Sequence, residues 1–130
     1  LSSVLVDTSG WIAFFRGDRD AVNRIDPLLR SGEAALSGPV YAELLSGART
    51  RSAFEVLRSL LGSLEWLEEP AVAWDRVAEA RFALARQGVQ ASLVDLLIAV
   101  TAAEAGAALL TRDRDFGRIA RVLPLDVKVF

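Results

Sequence analysis

Four places in the chain put a carboxylate where hydrolytic chemistry could use it: Asp7, Glu43, Asp95, and Asp113 with Asp115. The chain contains no His and no Cys. It therefore lacks the usual ligands of a zinc site, and any triad that relies on imidazole as its base. Whatever chemistry it performs must run on carboxylates, with a hard, oxygen-loving cation such as Mg²⁺ or Mn²⁺. Crowded carboxylates repel and raise one another's pKa values unless a cation neutralises them. With a cation in place, such a cluster can activate water and stabilise a pentavalent phosphoryl centre. That is the chemistry of phosphodiester hydrolysis.

Each acid also has a plainer structural role open to it. Asp7 stands just before a helix and can cap it. Glu43 can be a solvated helix residue. Asp95 lies three residues after Ser92, a spacing that resembles a capping box. Asp113 and Asp115 can serve a turn and a helix start.

The elements that must position these residues follow from hydrophobic periodicity. Residues 3–6 read as a short buried strand, followed by Asp7-Thr8-Ser9 and a helix from Gly10 to Phe15. A second helix is expected from Arg19 to Arg30, a strand at residues 34–37, and a helix opened by Pro39 that carries Glu43. Residues 50–61 place Phe54, Leu57, Leu60 and Leu61 at helical spacing, and 64–68 read as a third strand. A long helix is expected from Pro70 to Gln87, with Val77, Ala80, Arg81 and Leu84 along one side and Gly88 as its stop. The helix after Ser92 is apolar at 93, 94, 96, 97, 98 and 100, so it is expected to be buried with Asp95 on it. Residues 108–110 then form a buried strand that runs straight into Thr111-Arg112-Asp113-Arg114-Asp115. A short helix at 116–121 and a last strand at 127–130 complete the pattern. Alternating strands and helices imply an α/β fold, a central mainly parallel sheet flanked by helices. Asp7 and Asp113 both follow strand ends, where such sheets bind ligands.

At 130 residues the chain fits one domain, expected to span 1–130. No apolar run reaches the roughly 18–20 residues of a membrane span, and a soluble, cytoplasmic protein is expected. The net charge of −2 gives no global signature of nucleic-acid binding. Yet all but one of the 15 Lys and Arg residues are arginine, the exception being Lys128. Arginine's planar fork suits phosphate.

Three segments, VDTSGWIAFF, YAELLSGA and SLVDLLIAVTAAEAGAALLTRDRDF, together resemble PIN-domain ribonucleases, and among them the small VapC-type toxins of bacterial toxin–antitoxin modules. The resemblance covers essentially the full chain, with the motifs in the family's order. It implies a PIN-like fold and a catalytic set of Asp7, Glu43, Asp95 and Asp113, of which Asp7, Asp95 and Asp113 are the expected metal ligands. Thr111 and Asp115 match polar positions flanking the fourth acid, with Asp115 expected as an outer partner. Thr8 or Ser9 matches the small hydroxyl after the first. The resemblance also implies Mg²⁺ or Mn²⁺ as cofactor, an RNA substrate such as tRNA or ribosomal RNA, a homodimer, and silencing by a cognate antitoxin. Arg112 and Arg114, beside the fourth acid, are the nearest candidates for contacting RNA.

Other readings compete. A haloacid-dehalogenase-type phosphatase would want a second Asp two positions after the first, where this chain has Ser9. A receiver domain would want an acid pair by the first strand and a late Lys, and dinucleotide binding a G-x-G-x-x-G motif that is absent. A PIN-like RNA- or protein-binding module without activity is the main rival from another class. The apolar residues of 11–15, with Tyr41, Leu44, Leu45, Phe54, Leu57 and Leu61, are expected to form a groove beside the acids for an antitoxin helix.

Overall fold

Short apolar runs separated by longer amphipathic ones become five strands and seven helices among the described residues, 3–130 of the computed structural model. In chain order these are β1 (Val4–Val6), α1 (Thr8–Phe15), α2 (Arg19–Ser31), β2 (Ala34–Ser37), α3 (Gly38–Ser46) and α4 (Arg51–Leu61). They continue with β3 (Glu65–Leu67), α5 (Ala73–Arg86), α6 (Leu93–Glu104), β4 (Ala108–Thr111), α7 (Asp115–Ile119) and β5 (Val127–Val129). The first two residues of the expected domain lie outside the described ones.

The strands form one sheet in the order β3-β2-β1-β4-β5, and every pairing is parallel. Parallel strands need helical crossovers, which cover both faces of the sheet and bury it. β2 is accordingly buried throughout, as are Leu5, Val6, Leu109 and Leu110 in the two central strands. The chain leaves β1 toward β2 and β3, then returns to build β4 and β5 on its other side. The carboxyl ends of β1 and β4 therefore flank the point where strand order reverses, the place where open α/β sheets bind ligands.

α1 approaches β1 so closely that only glycine fits at position 10. A Cβ there would stand 2.8 Å from Cγ1 of Val6. α6 is buried from Leu96 to Ala102 because it packs against α3, α5, α7 and β4 at once. Its first turn departs from expectation, since Leu93 and Val94 are exposed. That turn reaches past the packed layer to the rim where Asp95 meets the other acids.

α5 departs twice. Pro70 accepts a turn hydrogen bond from the N–H of Ala73, and the helix begins only there. Its buried side is Ala73, Val77, Ala80 and Leu84, whereas Arg81 faces solvent. With 3.6 residues per turn, the residue after Ala80 is rotated about 100° from it, off the buried stripe. Among the described residues no helix is long and apolar enough to cross a membrane.

Candidate active site

Asp7 ends β1 and caps α1, so its backbone is extended while its side chain turns back over the helix start. Oδ1 accepts from the N–H of Gly10 at 2.9 Å and from the Ser9 hydroxyl at 2.8 Å. Oδ2 accepts from the Thr111 hydroxyl at 2.7 Å. The capping role is thus real, and it occurs within a larger network. Asp7 is 4% exposed. Burial pushes its carboxyl above the ordinary value, the Gly10 N–H and the Thr111 and Ser9 hydroxyls pull it back, and the charge of Asp113 adds to the upward push.

Thr111 closes the network from the neighbouring strand. It is the last residue of β4, fully buried, and its hydroxyl also accepts the N–H of Asp113 at 2.8 Å. The Ser9 hydroxyl, 3.3 Å from that of Thr111, accepts the N–H of Arg112 at 3.0 Å. Two hydroxyls therefore stitch the turn after β4 to the helix start after β1. Asp113 in turn accepts the N–H of Asp115 at 2.9 Å, while the Asp115 carboxylate lies exposed, 4.0 Å from Arg118. That placement makes Asp115 a backbone support of Asp113.

The remaining acids arrive on helices. Asp95 sits in the first turn of α6, its N–H donated to the Ser92 hydroxyl at 3.0 Å, so its capping geometry is real too. Its carboxyl is pushed upward first by burial, and then by the charges of Asp113, Glu43 and Asp7, against a lowering by the Ser92 hydroxyl. Glu43, exposed on α3, accepts the Thr8 hydroxyl at 2.6 Å. The sheet edge and two helices thus bring all four predicted acids within range of mutual repulsion. They stand apart rather than in contact: among the described residues no three carboxylates form a group that could by itself hold a metal ion. The donor set is all oxygen, anionic and partly buried, which matches a hard divalent cation that keeps part of its water shell.

The two predicted arginines differ. Arg112 forms an ion pair with Asp18, and its guanidinium lies 4.7 Å from the ring centre of Phe130, a ring that Arg24 also covers at 5.5 Å. Arg114 is exposed and has no ion pair among the described residues.

A family model described as "PIN domain" matches residues 4–122. Ribonuclease VapC11 of Mycobacterium tuberculosis is 33% identical over 132 residues, covering 98% of each chain. Ribonuclease VapC21 of the same species is 32% identical over 114 residues, covering 85% of this chain and 83% of the relative. The chain belongs to the PIN-domain family, among the VapC proteins. The fold agrees: a VapBC2 structure from Rickettsia felis, bound to a promoter DNA fragment, superposes with a TM-score of 0.78 at 24% identity, covering 98% of both chains.

In this PIN domain the residues that sequence reading missed are Asp18, Arg24 and Phe130. Asp18 reads locally as the cap of α2, which it is, accepting the N–H of Ala21 at 3.0 Å. That bond lowers its carboxyl, and Arg112 lowers it further. Nothing local announces a partner 94 positions away. Thr8 was legible as a small hydroxyl after the first acid, but its tie to Glu43 joins α1 to α3 and appears only in the fold.

Proposed function

We propose that this PIN domain, a single nuclease domain spanning the chain, is a divalent-metal-dependent endoribonuclease toxin kept silent by a cognate antitoxin. The observation that carries the reading is the convergence of Asp7, Asp113, Asp95 and Glu43 at the carboxyl edge of the sheet, where the Asp95 carboxyl is raised first by burial and then by the charges of the other three. A fold keeps such repulsion when a cation relieves it. Asp7, Asp95 and Asp113, in part through the cation's retained water, would hold Mg²⁺ or Mn²⁺, which when bound would lower the pKa of coordinated water and stabilise charge building on phosphorus. Thr111 and Ser9 fix the orientation of Asp7. Glu43, exposed and held by the Thr8 hydroxyl, would take the proton of the attacking water. Arg114 is the free cation beside Asp113 for a substrate phosphate, and structured RNA such as tRNA or ribosomal RNA is the expected substrate in the cytoplasm.

The antitoxin surface lies beside Glu43. Trp11 is buried, as are Leu44, Leu45 and Leu61 of the expected groove, but Ile12 and Phe15 stay 39% and 41% exposed. Tyr41 packs on Trp66 with ring centres 5.0 Å apart. An apolar helix laid there, with an arginine reaching the acids, would compete with the cation. Hydrogen exchange on the complex should protect residues 10–61.

Incubation of the purified chain with total RNA, followed by sequencing of new ends, tests the activity. Chelation should abolish cleavage, and either Mg²⁺ or Mn²⁺ should restore it, with Asp7→Asn as the inactive control. Unimpaired cleavage by rigorously metal-free protein would overturn the mechanism.

A further inference from the structure

The turn between α5 and α6 encloses a cavity of about 230 Å³, lined by Arg81 and Ala85 of α5 and by Val89, Gln90 and Ala91 of the turn itself. That turn is fixed at both ends. Gly88, at a φ of 74°, reverses the chain, and the N–H groups of Gln87, Gly88 and Val89 return to the carbonyls of Leu84 and Ala85. At the other end the Ser92 hydroxyl accepts the N–H of Asp95 and caps α6. Val89 and Ala91 pack against the core. Between these anchors the backbone N–H and C=O groups of Gln90 and Ala91 have no backbone partner among the described residues. Arg81, exposed, has neither an ion pair nor an aromatic ring against it there, whereas Arg86 lies 3.9 Å from the ring centre of Phe82. A preformed hollow with apolar walls, an amide at its mouth and an unengaged guanidinium suits a flat polar heterocycle that carries negative charge beside it.

Its place in the fold names the occupant. Ala91 stands four residues before Asp95. Their separation is at most about 14 Å, and the first turn of α6 shortens it. A nucleic-acid strand advances at least about 3.4 Å per nucleotide, so the cavity lies within a few nucleotides of the acids. Leu93 and Val94, 45% and 43% exposed, fill the interval with open apolar surface. We infer that this cavity receives one unpaired base of the RNA strand whose backbone crosses the acids. Ala85, Val89 and Ala91 contact the base, and the Gln90 amide, with a donor and an acceptor, reads its edge together with the free backbone groups of the turn. Arg81 pairs with the adjoining phosphate. The volume falls short of the roughly 300 Å³ from which ligand pockets usually start, so it admits one base and no stacked pair. A base inside a duplex would first have to be flipped out, and the site therefore selects unpaired segments. It deepens the nuclease reading, on which it rests, by making Gln90 the residue that sets base preference.

Nuclear magnetic resonance titration of the full chain carrying Asp7→Asn, in chelator, provides the test, with short A, C and U homopolymers and an abasic strand of the same length as probes. The amides of Val89, Gln90 and Ala91 should shift with the base-bearing strands and stay in place with the abasic one. Affinity should differ among the homopolymers, and Gln90→Ala should collapse that difference. Ala85→Trp fills the cavity and should weaken the preferred homopolymer about tenfold or more. Arg81→Ala should weaken every strand, the abasic one included, and lower the salt slope by about 0.7. Ala85, Gln90 and Arg81 are all exposed, so the circular dichroism of each variant should match the wild type. Absent binding, equal shifts with the abasic strand, or an Ala85→Trp protein that binds as the wild type does would each overturn the assignment. Cleavage of total RNA by the wild type with Mg²⁺ is measured separately. Base-dependent binding at Gln90 without cleavage would sink the nuclease reading and keep the pocket, whereas cleavage whose base preference ignores Gln90→Ala and Ala85→Trp would sink the pocket alone.

Discussion

Thr111→Val removes one hydroxyl at nearly constant shape, and the structure says what that hydroxyl does. It donates to Oδ2 of Asp7 at 2.7 Å and accepts the Asp113 N–H at 2.8 Å, in a residue with no exposed surface. A hydrogen bond to a charged group contributes about 1.5–3 kcal/mol and a neutral one about 0.5–1.5 kcal/mol. The substitution should therefore cost about 2–4 kcal/mol at pH 7, or roughly 6–20 °C in melting temperature for a domain of this size. The cost should depend on pH with a definite sign. The Asp7 carboxyl is already raised by burial, and the Thr111 hydroxyl is one of the groups pulling it back. Losing that hydroxyl raises it further, so the penalty applies while Asp7 is ionised and shrinks as pH falls through its folded value. Denaturant melts of wild type and variant at pH 7 and near pH 4, in chelator, measure both quantities. Cleavage should fall as well, because Asp7 and Asp113 lose their shared tie. A cost below about 0.5 kcal/mol, or one identical at both pH values, would refute the claim that Thr111 serves the ionised carboxylate.

Asp7→Asn and Asp95→Asn should each remove cleavage while leaving the metal-free fold at least as stable at neutral pH. Both carboxyls are raised from 3.8 chiefly by burial, so their contribution to stability is fully present below that value and lost as pH climbs through the folded values; melts across that window check the sign. Mg²⁺ at a hundredfold excess over its dissociation constant should add about 2.7 kcal/mol to the wild type and less to either variant. Gly10→Ala should destabilise by about 1–3 kcal/mol, because its Cβ would crowd Cγ1 of Val6 in a packed core; a denaturant midpoint unchanged from wild type would contradict this.

Much of the fold was legible because period and punctuation agree along this chain. Ala34–Ser37 reads as a strand and is one, and the apolar stretch after Ser92 is a buried helix from Leu96 onward. The alternation of short apolar runs with helical ones was enough for a parallel sheet, and parallel connection was enough to send Asp7 and Asp113 to the same edge. The failures lie where local pattern underdetermines rotation or reach. Arg81 was grouped along one side with Val77, Ala80 and Leu84, yet a helix phase anchored on Ala73, Val77, Ala80 and Leu84 turns it outward. Leu93 and Val94 were counted into a buried helix, yet burial depends on where the neighbouring layer ends. The four acids were each ambiguous alone, and for Asp7 and Asp95 the capping and site geometries turn out to coexist. A carboxylate at a helix start is already oriented, so one fold feature serves both ends.

Arg112 shows what linear proximity conceals. Its position beside Asp113 suggested an RNA contact, but its guanidinium is engaged by Asp18 and the Phe130 ring, and its N–H by Ser9. Phe130 in turn donates its N–H to the carbonyl of Thr111 at 3.0 Å, so the arginine, the last strand and the turn bearing Asp113 form one assembly. Its side chain therefore braces the turn bearing Asp113, whereas Arg114 is exposed and without an ion pair among the described residues, and is the proposed phosphate contact. The two roles predict different losses. Arg114→Ala should weaken RNA binding and reduce its salt slope by about one, as expected for one phosphate contact. Arg112→Ala should leave that slope unchanged, lower the melting temperature and increase hydrogen exchange at the amides of Arg112 and Asp113. Asp18→Asn should share the Arg112→Ala effects in kind, since it removes the charge that holds the same guanidinium. Binding measured on the inactive Asp7→Asn background, over a range of salt, separates them. A flattened slope for Arg112→Ala with none for Asp18→Asn would return Arg112 to the substrate and undo the bracing role.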